Sequence, residues 1–186
     1  MTTTAQKMMV GMAIAMGTAG IPHAAAADRG LGATPAPLIM RVRTDSPALA
    51  TLIQEATERS TTFRGLVETI NVSDGIVYVN EGRCGHGVRA CLATVTAAGP
   101  NRVLHVKVDT RKADWDLMGS IGHELRHAVE VLGDPKVTSD AAMYFFYVRH
   151  GRRGTKSSFE TTAAVEAGHA VRSEVRRPQL VARNGQ

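Results

Sequence analysis

The sequence predicts one α+β domain: a small antiparallel or mixed sheet packed on a long helix, with further helices at the C-terminal end. Three observations carry this. Apolar residues recur at helical spacing before residue 72 and after residue 113, strand-like runs with short gaps fill residues 75–109, and no repeat or second domain interrupts the 186 residues.

The elements follow in order. Leu38 to Val42 reads as a first strand. Asp45-Ser46-Pro47 supplies a capping side chain and a first-turn proline, so a helix runs from there to about Arg59. Phe63, Leu66, Val67 and Ile70 fall at i, i+3, i+4 and i+7, which predicts a second helix after Ser60-Thr61. Gly75 to Val79, Val88 to Thr96 and Arg102 to Asp109 read as three strands, and their short connections predict an antiparallel meander. The last of these alternates, with Val103, His105 and Lys107 on one face and Leu104, Val106 and Val108 on the other. Ala113 to about Leu132 reads as a long helix, with a helix-like run from Trp115 to Gly133, stopped at Gly133-Asp134-Pro135. Ser139 caps a helix to about His150, with Met143, Phe145, Phe146 and Val148 expected in the core. Gly151 to Ser158 is a basic loop, and Ser158 or Phe159 opens a last helix to about Arg176.

The ends carry different signals. Residues 1–27 read as a signal peptide: Lys7 is a short positive region, Met8 to Ile21 is apolar, and Ala24 to Ala27 offers a cleavage site. The apolar run is short for a membrane span, so no stable span is expected after cleavage, and an uncleaved anchor is the competing reading. Residues 28–37 form a Gly/Pro/Ala-rich lead-in, residues 38–178 the domain, and residues 179–186 a disordered tail. Cys84 and Cys91 flank the turn Gly85-His86-Gly87; in an oxidising compartment a disulfide across it is expected, while a metal site lacks a C-x-x-C pattern. The net charge of +5 gathers late in the chain, at Arg149, Arg152, Arg153, Lys156, Arg172, Arg176, Arg177 and Arg183. These read as a solvated basic surface, since no interleaved aromatics or recognition motif points to nucleic acid.

The chemistry-bearing motif is His123-Glu124-Leu125-Arg126-His127. Residues four apart share a helix face, so both imidazoles can reach one zinc ion while Glu124 lies beside them as the general base. A catalytic zinc takes a third protein ligand. Glu130 sits on the same straight helix, which cannot wrap three ligands around a tetrahedral ion, so it reads as support for a ligand. Glu160 is the better third ligand. On its predicted helix it shares a face with Ala163, Ala164, Ala167, Gly168 and Val171, where a carboxylate needs a cation. Its alternative role is a carboxylate favoured by the helix dipole. Glu166 and His169 project away from that face. His150 also lies downstream.

Gly122 to Val129 resembles the active-site helix of the zincin metallopeptidases, and Glu160-Thr161-Thr162-Ala163 resembles the third-ligand helix of the gluzincin branch, which includes thermolysin-like enzymes. The resemblance covers residues 101–176. It implies a zincin-like fold, His123, His127 and Glu160 as zinc ligands, Glu124 as general base, and Val103 to Val108 as the edge strand that binds substrate in extended form. The chain departs from the larger gluzincins in having Ala164 where an acidic residue often stands four after the third ligand. Gly133 stands six after His127, which excludes the metzincin branch.

The expected function is therefore hydrolysis of a peptide or protein substrate by an exported zinc metallopeptidase, with Glu124 activating a zinc-bound water. Tyr144, Tyr147, His150 and His169 are candidate oxyanion donors by type. No specificity pocket is definable from the sequence. A non-catalytic secreted module with a structural zinc is the alternative, and a basic surface-binding protein a third reading.

Overall fold

The computed structural model describes residues 40–85, 87–153 and 159–177. The predicted signal peptide, lead-in and tail lie outside these residues, as do Leu38 and Ile39 of the first predicted strand.

Strand β1 is Val42–Arg43, followed by helices α1 (Pro47–Arg59) and α2 (Thr61–Asn71). Ser46 caps α1 by accepting from the Leu49 amide, and Pro47 opens its first turn. Ser60, fully buried, ends α1 and caps α2 by accepting from the Phe63 amide at 2.9 Å. The inward face of α2 is the expected one, Phe63, Leu66, Val67 and Ile70, and α1 buries Leu49, Leu52, Ile53 and Ala56.

Strands β2 (Gly75–Glu81), β3 (Ala90–Ala98) and β4 (Asn101–Val108) complete a four-stranded sheet of order β1-β2-β4-β3. It is mixed. β2 runs parallel to β4, and only β3 is antiparallel to its neighbour. The expected meander is thus corrected: after the turn at Gly99-Pro100 (Gly99 at φ 59°), β4 inserts between β2 and β3. The reason lies in burial. Val77, Val79, Leu104, Val106 and Val108 are fully buried, whereas β3 ends in the exposed Thr96, Ala97 and Ala98, which suit an edge. β4 is therefore interior, and the substrate-edge role implied for Val103 to Val108 is overturned; the edge is β3. Ala93 forms an irregularity in its register, where Leu92 faces Val106 but Thr94 faces His105.

Helix α3 (Trp115–Gly133) is central, lying against the sheet, α2 and a final helix, α5 (Thr162–Arg176). Its buried positions run around most of its circumference, from Leu117 to Val131. Asp114 caps its start, accepting from the Leu117 amide at 3.0 Å. Arg102, buried at 4% exposure, staples its end. The guanidinium donates to the carbonyls of Val131, Leu132, Asp134 and Val137 and forms a two-point ion pair with Asp74. The contact between α3 and α5 is made of small residues. A Cβ added at Gly122 would lie 2.8 Å from Val171 Cγ2, and one at Gly168 3.1 Å from His123 Cβ.

Helix α4 (Asp140–His150) begins at its predicted cap, Ser139. It packs through Met143 and Tyr147, while Phe145 (58% exposed) and Val148 (48%) face outward. Their expected place in the core is corrected, because α4 covers β3 with one face and no layer among the described residues covers the other. The last helix also starts later than expected. Arg152–Arg153 (β5) pairs with Phe159–Glu160 (β6), and Thr161 caps α5 by accepting from the Ala164 amide at 3.1 Å. Cys84 and Cys91 form a disulfide with Cα atoms 5.8 Å apart, which is compatible with export. Among the described residues no helix is long and apolar enough to cross a membrane.

Candidate metal centre

His123 and His127 lie one turn apart on α3, with ring centroids 4.8 Å apart and planes at 79°. Glu160 reaches them from β6, immediately before α5, so its predicted position on the last helix is corrected. Its role as neighbour of the histidines does not depend on that helix: the β5–β6 pairing carries it there. Glu160 Oε2 lies 3.0 Å from His123 Nε2 and 3.9 Å from His127 Nε2. One ligand atom from each of the three residues falls within 4.8 Å of the others.

The donor set fits a divalent cation. Glu160 Oε2 is buried, faces only the two imidazole nitrogens and makes no well-aligned hydrogen bond, an expensive state for a carboxylate oxygen unless a positive charge faces it. Two imidazole nitrogens and one carboxylate oxygen are also the ligand types of three-coordinate protein sites for zinc. The two imidazoles hold the Glu160 carboxyl down at about 2. Burial works against charge on His127, but the carboxylates of Glu130, Glu160 and Glu124 outweigh it and push the imidazole up to about 9. These groups favour a positive charge among them, whether carried by a proton or a metal.

Glu130 stands against His127, on the same face of α3 as the sequence places it. Its Oε2 lies 3.0 Å from His127 Nδ1, and Thr161 Oγ1 donates to its Oε1 at 2.7 Å. Burial acts to raise the Glu130 carboxyl, but the hydrogen bonds from His127 and Thr161 win and hold it low. A carboxylate only accepts, so Nδ1 carries the proton in that bond and Nε2 is left facing Glu160.

Glu124 also lies near Nε2 of His123. It is 8% exposed, its Oε2 accepts the Leu92 amide at 2.7 Å, and its Oε1 lies 3.9 Å from His123 Nε2. Burial raises its carboxyl, against the lowering effect of both histidines and of the Leu92 amide. A carboxyl raised in this way is a stronger proton acceptor than a free one.

The four residues open on a cleft of about 800 Å³. Beyond His127 its wall is Met143, Tyr144, Tyr147 and Phe159. On the opposite side of His123 it is Ser120, Asp116, Arg89 and Arg172. Among the suggested oxyanion donors, only Tyr144 and Tyr147 line this cleft. The Tyr147 hydroxyl is already committed, donating to the His127 carbonyl at 3.0 Å, and burial pushes its pKa up. His150 is exposed and bonds the Phe146 carbonyl, and His169 and Glu166 are exposed on α5.

Arg172 was grouped with a solvated basic surface, and that placement is corrected. It is half-buried across Gly119 and Gly168 and lines the cleft. The signal in the sequence was the glycine pair on two helices, which leaves room for a long side chain. Comparisons with protein-family models, curated proteins and solved structures return no match to this chain.

Proposed function

We propose that the protein is an exported zinc-dependent peptidase, a minimal single-domain zincin of gluzincin type. The observation that carries this reading is the convergence of His123, His127 and the buried Oε2 of Glu160 beside Glu124, lining one cleft. His123, His127 and Glu160 would hold the ion. When bound, zinc supplies Lewis acidity, lowering the pKa of water and polarising a carbonyl. Glu124 Oε1 takes the proton of the attacking water and delivers it to the leaving amine. The Leu92 amide keeps Oε2 fixed, so the other oxygen is the one that moves the proton. Glu130 holds His127 in one tautomer, and Tyr147 ties the backbone of that residue to α4.

A second reading, a binding module with a structural zinc, draws on a specific observation. The outward amides of the β3 edge are taken within the chain: Leu92 by Glu124, Val95 by Asp140 Oδ1 and Ala97 by the Thr138 carbonyl. An extended substrate therefore finds few free donors there.

The test is zinc content of the purified secreted protein, together with cleavage of a peptide mixture by wild type and Glu124→Gln. Peptidase function predicts stoichiometric zinc in both and a loss of cleavage of about a hundredfold or more in the variant. Zinc without Glu124-dependent cleavage selects the module, and protein without zinc rejects both.

A further inference from the structure

The two ends of the cleft differ in chemistry. Asp116, Ser120, His123 and His127 follow one another along a single face of α3. The helical rise puts Asp116 roughly 16 Å from His127, so the end at Asp116 and the aromatic end at Tyr147 lie on opposite sides of the histidine pair. Tyr144, Tyr147 and Phe159 pack with one another at the aromatic end.

At the other end the cations are Arg89, Lys112 and Arg172, against the carboxylates of Asp114 and Asp116. Their commitments are unequal. Arg89 is spent on the start of α3: it bonds Asp114 Oδ1 at 2.8 Å, donates to the Lys112 carbonyl and lies 3.5 Å from Asp116. Lys112 pairs with Asp114 at 3.0 Å and lies outside the cleft wall. Arg172 donates through Nε to Asp116 Oδ1 at 2.7 Å and through Nη2 to Ser120 Oγ at 3.3 Å. Its Nη1 makes no hydrogen bond among the described residues. That nitrogen and the Cβ of His123 lie 3.3 and 3.1 Å from where a Cβ on Gly168 would stand, with the Gly119 carbonyl at 3.2 Å from the same point. Asp116 and Ser120 thus hold the guanidinium in place, and glycines at 119 and 168 leave room for the side chain between the helices. One of its nitrogens is left without a hydrogen bond among the described residues, and the residue shares the cleft wall with His123.

We infer that Arg172 selects substrates that carry a carboxylate on the side of the reacting bond facing the first half of α3. This rests on the peptidase reading. The carboxylate is either an acidic side chain or the terminal carboxylate of the peptide. Guanidinium recognises both through the same charge-assisted hydrogen bonds. Among the described residues the aromatic end offers no such group and takes an apolar side chain, so the selection acts on the Arg172 side.

The experiment uses the zinc-loaded protein and a peptide library read by mass spectrometry, followed by a quenched peptide pair identical except for Glu against Gln at the subsite found. A second pair compares a free with an amidated C-terminus. The expected result is enrichment of Asp and Glu, or of chain ends, at one subsite. Within the pair, the acidic member should be favoured about tenfold in kcat/KM, the low end for a hydrogen bond to a charged group. Arg172→Met, which keeps the packed stem, should bring that ratio to near unity, and Arg172→Lys should restore part of it. Binding of the same pair to the Glu124→Gln variant should show the same ratio in Kd, and added salt should shrink it. Cleavage without acidic enrichment, or a ratio unchanged in Arg172→Met, overturns the inference while leaving the peptidase reading standing. No cleavage of any library member removes that reading and this inference with it.

Discussion

Glu130 Oε2 stands 3.0 Å from Nδ1 of His127, and its second oxygen receives the Thr161 hydroxyl at 2.7 Å. One carboxylate thereby joins the helix that bears two candidate ligands to the residue that follows the third. Replacing it with the neutral isostere should loosen both ends. Glu130→Gln is expected to weaken zinc affinity by about ten- to hundredfold, the usual effect of removing a ligand's hydrogen-bond partner. Titration against a chelator of known affinity measures it, and an unchanged affinity would remove Glu130 from the site.

Gly122 fixes how closely α3 and α5 approach. A methyl group there meets Cγ2 of Val171, a fully buried β-branched side chain with little rotamer freedom. Overpacking of this kind costs about 1–3 kcal/mol, while alanine returns about 1 kcal/mol in helix propensity. Gly122→Ala should therefore be less stable than wild type by about 1 kcal/mol in urea unfolding. A gain in stability would show that the helices can separate freely.

Glu174 ties α5 to the start of α2. It accepts from Ser60 Oγ at 2.6 Å, from the Thr62 amide at 3.0 Å and from Thr62 Oγ1 at 2.8 Å. Burial acts to raise its carboxyl, but these hydrogen bonds outweigh it and the folded-state pKa is lowered. A depressed carboxylate contributes stability that is present above its unfolded value, about 4.3, and lost as pH falls through the lower folded value. Glu174→Gln should therefore destabilise at neutral pH, and the gap to wild type should narrow on acidification. Unfolding curves from about pH 7 to about pH 3 test it; a gap that widens in acid contradicts the assignment.

The Cys84–Cys91 disulfide precedes Leu92, whose amide holds Glu124. Closing so short a loop stabilises by about 2 kcal/mol. Reduction, or the Cys84→Ser/Cys91→Ser pair, should lower stability by about that amount and raise hydrogen exchange at the Leu92 amide. Unaltered exchange there would show that the disulfide does not brace this wall of the cleft.

Local rules account for much of what was legible. Ser46 and Ser139 cap the helices they were expected to cap, and α3 lies within two residues of the limits read from the sequence, because capping and helical periodicity depend on residues a few positions apart. The pairing of His123 with His127 and the support from Glu130 follow from the same i+4 and i+3 geometry. What the sequence by itself determined stops at that range.

Tertiary structure decided the rest. The order β1-β2-β4-β3 depends on which strands carry the most apolar surface for the helices to cover, and a short connection cannot reveal that. Glu160 meets the histidines from a two-residue strand pair rather than from a helix, because Thr161 takes the cap and stops α5 one residue short of it. Arg172 enters the cleft only because Gly119 and Gly168, far apart in the chain, face each other across two helices. In each case the deciding contact joins residues distant in sequence, and its free energy exists only once the core has packed.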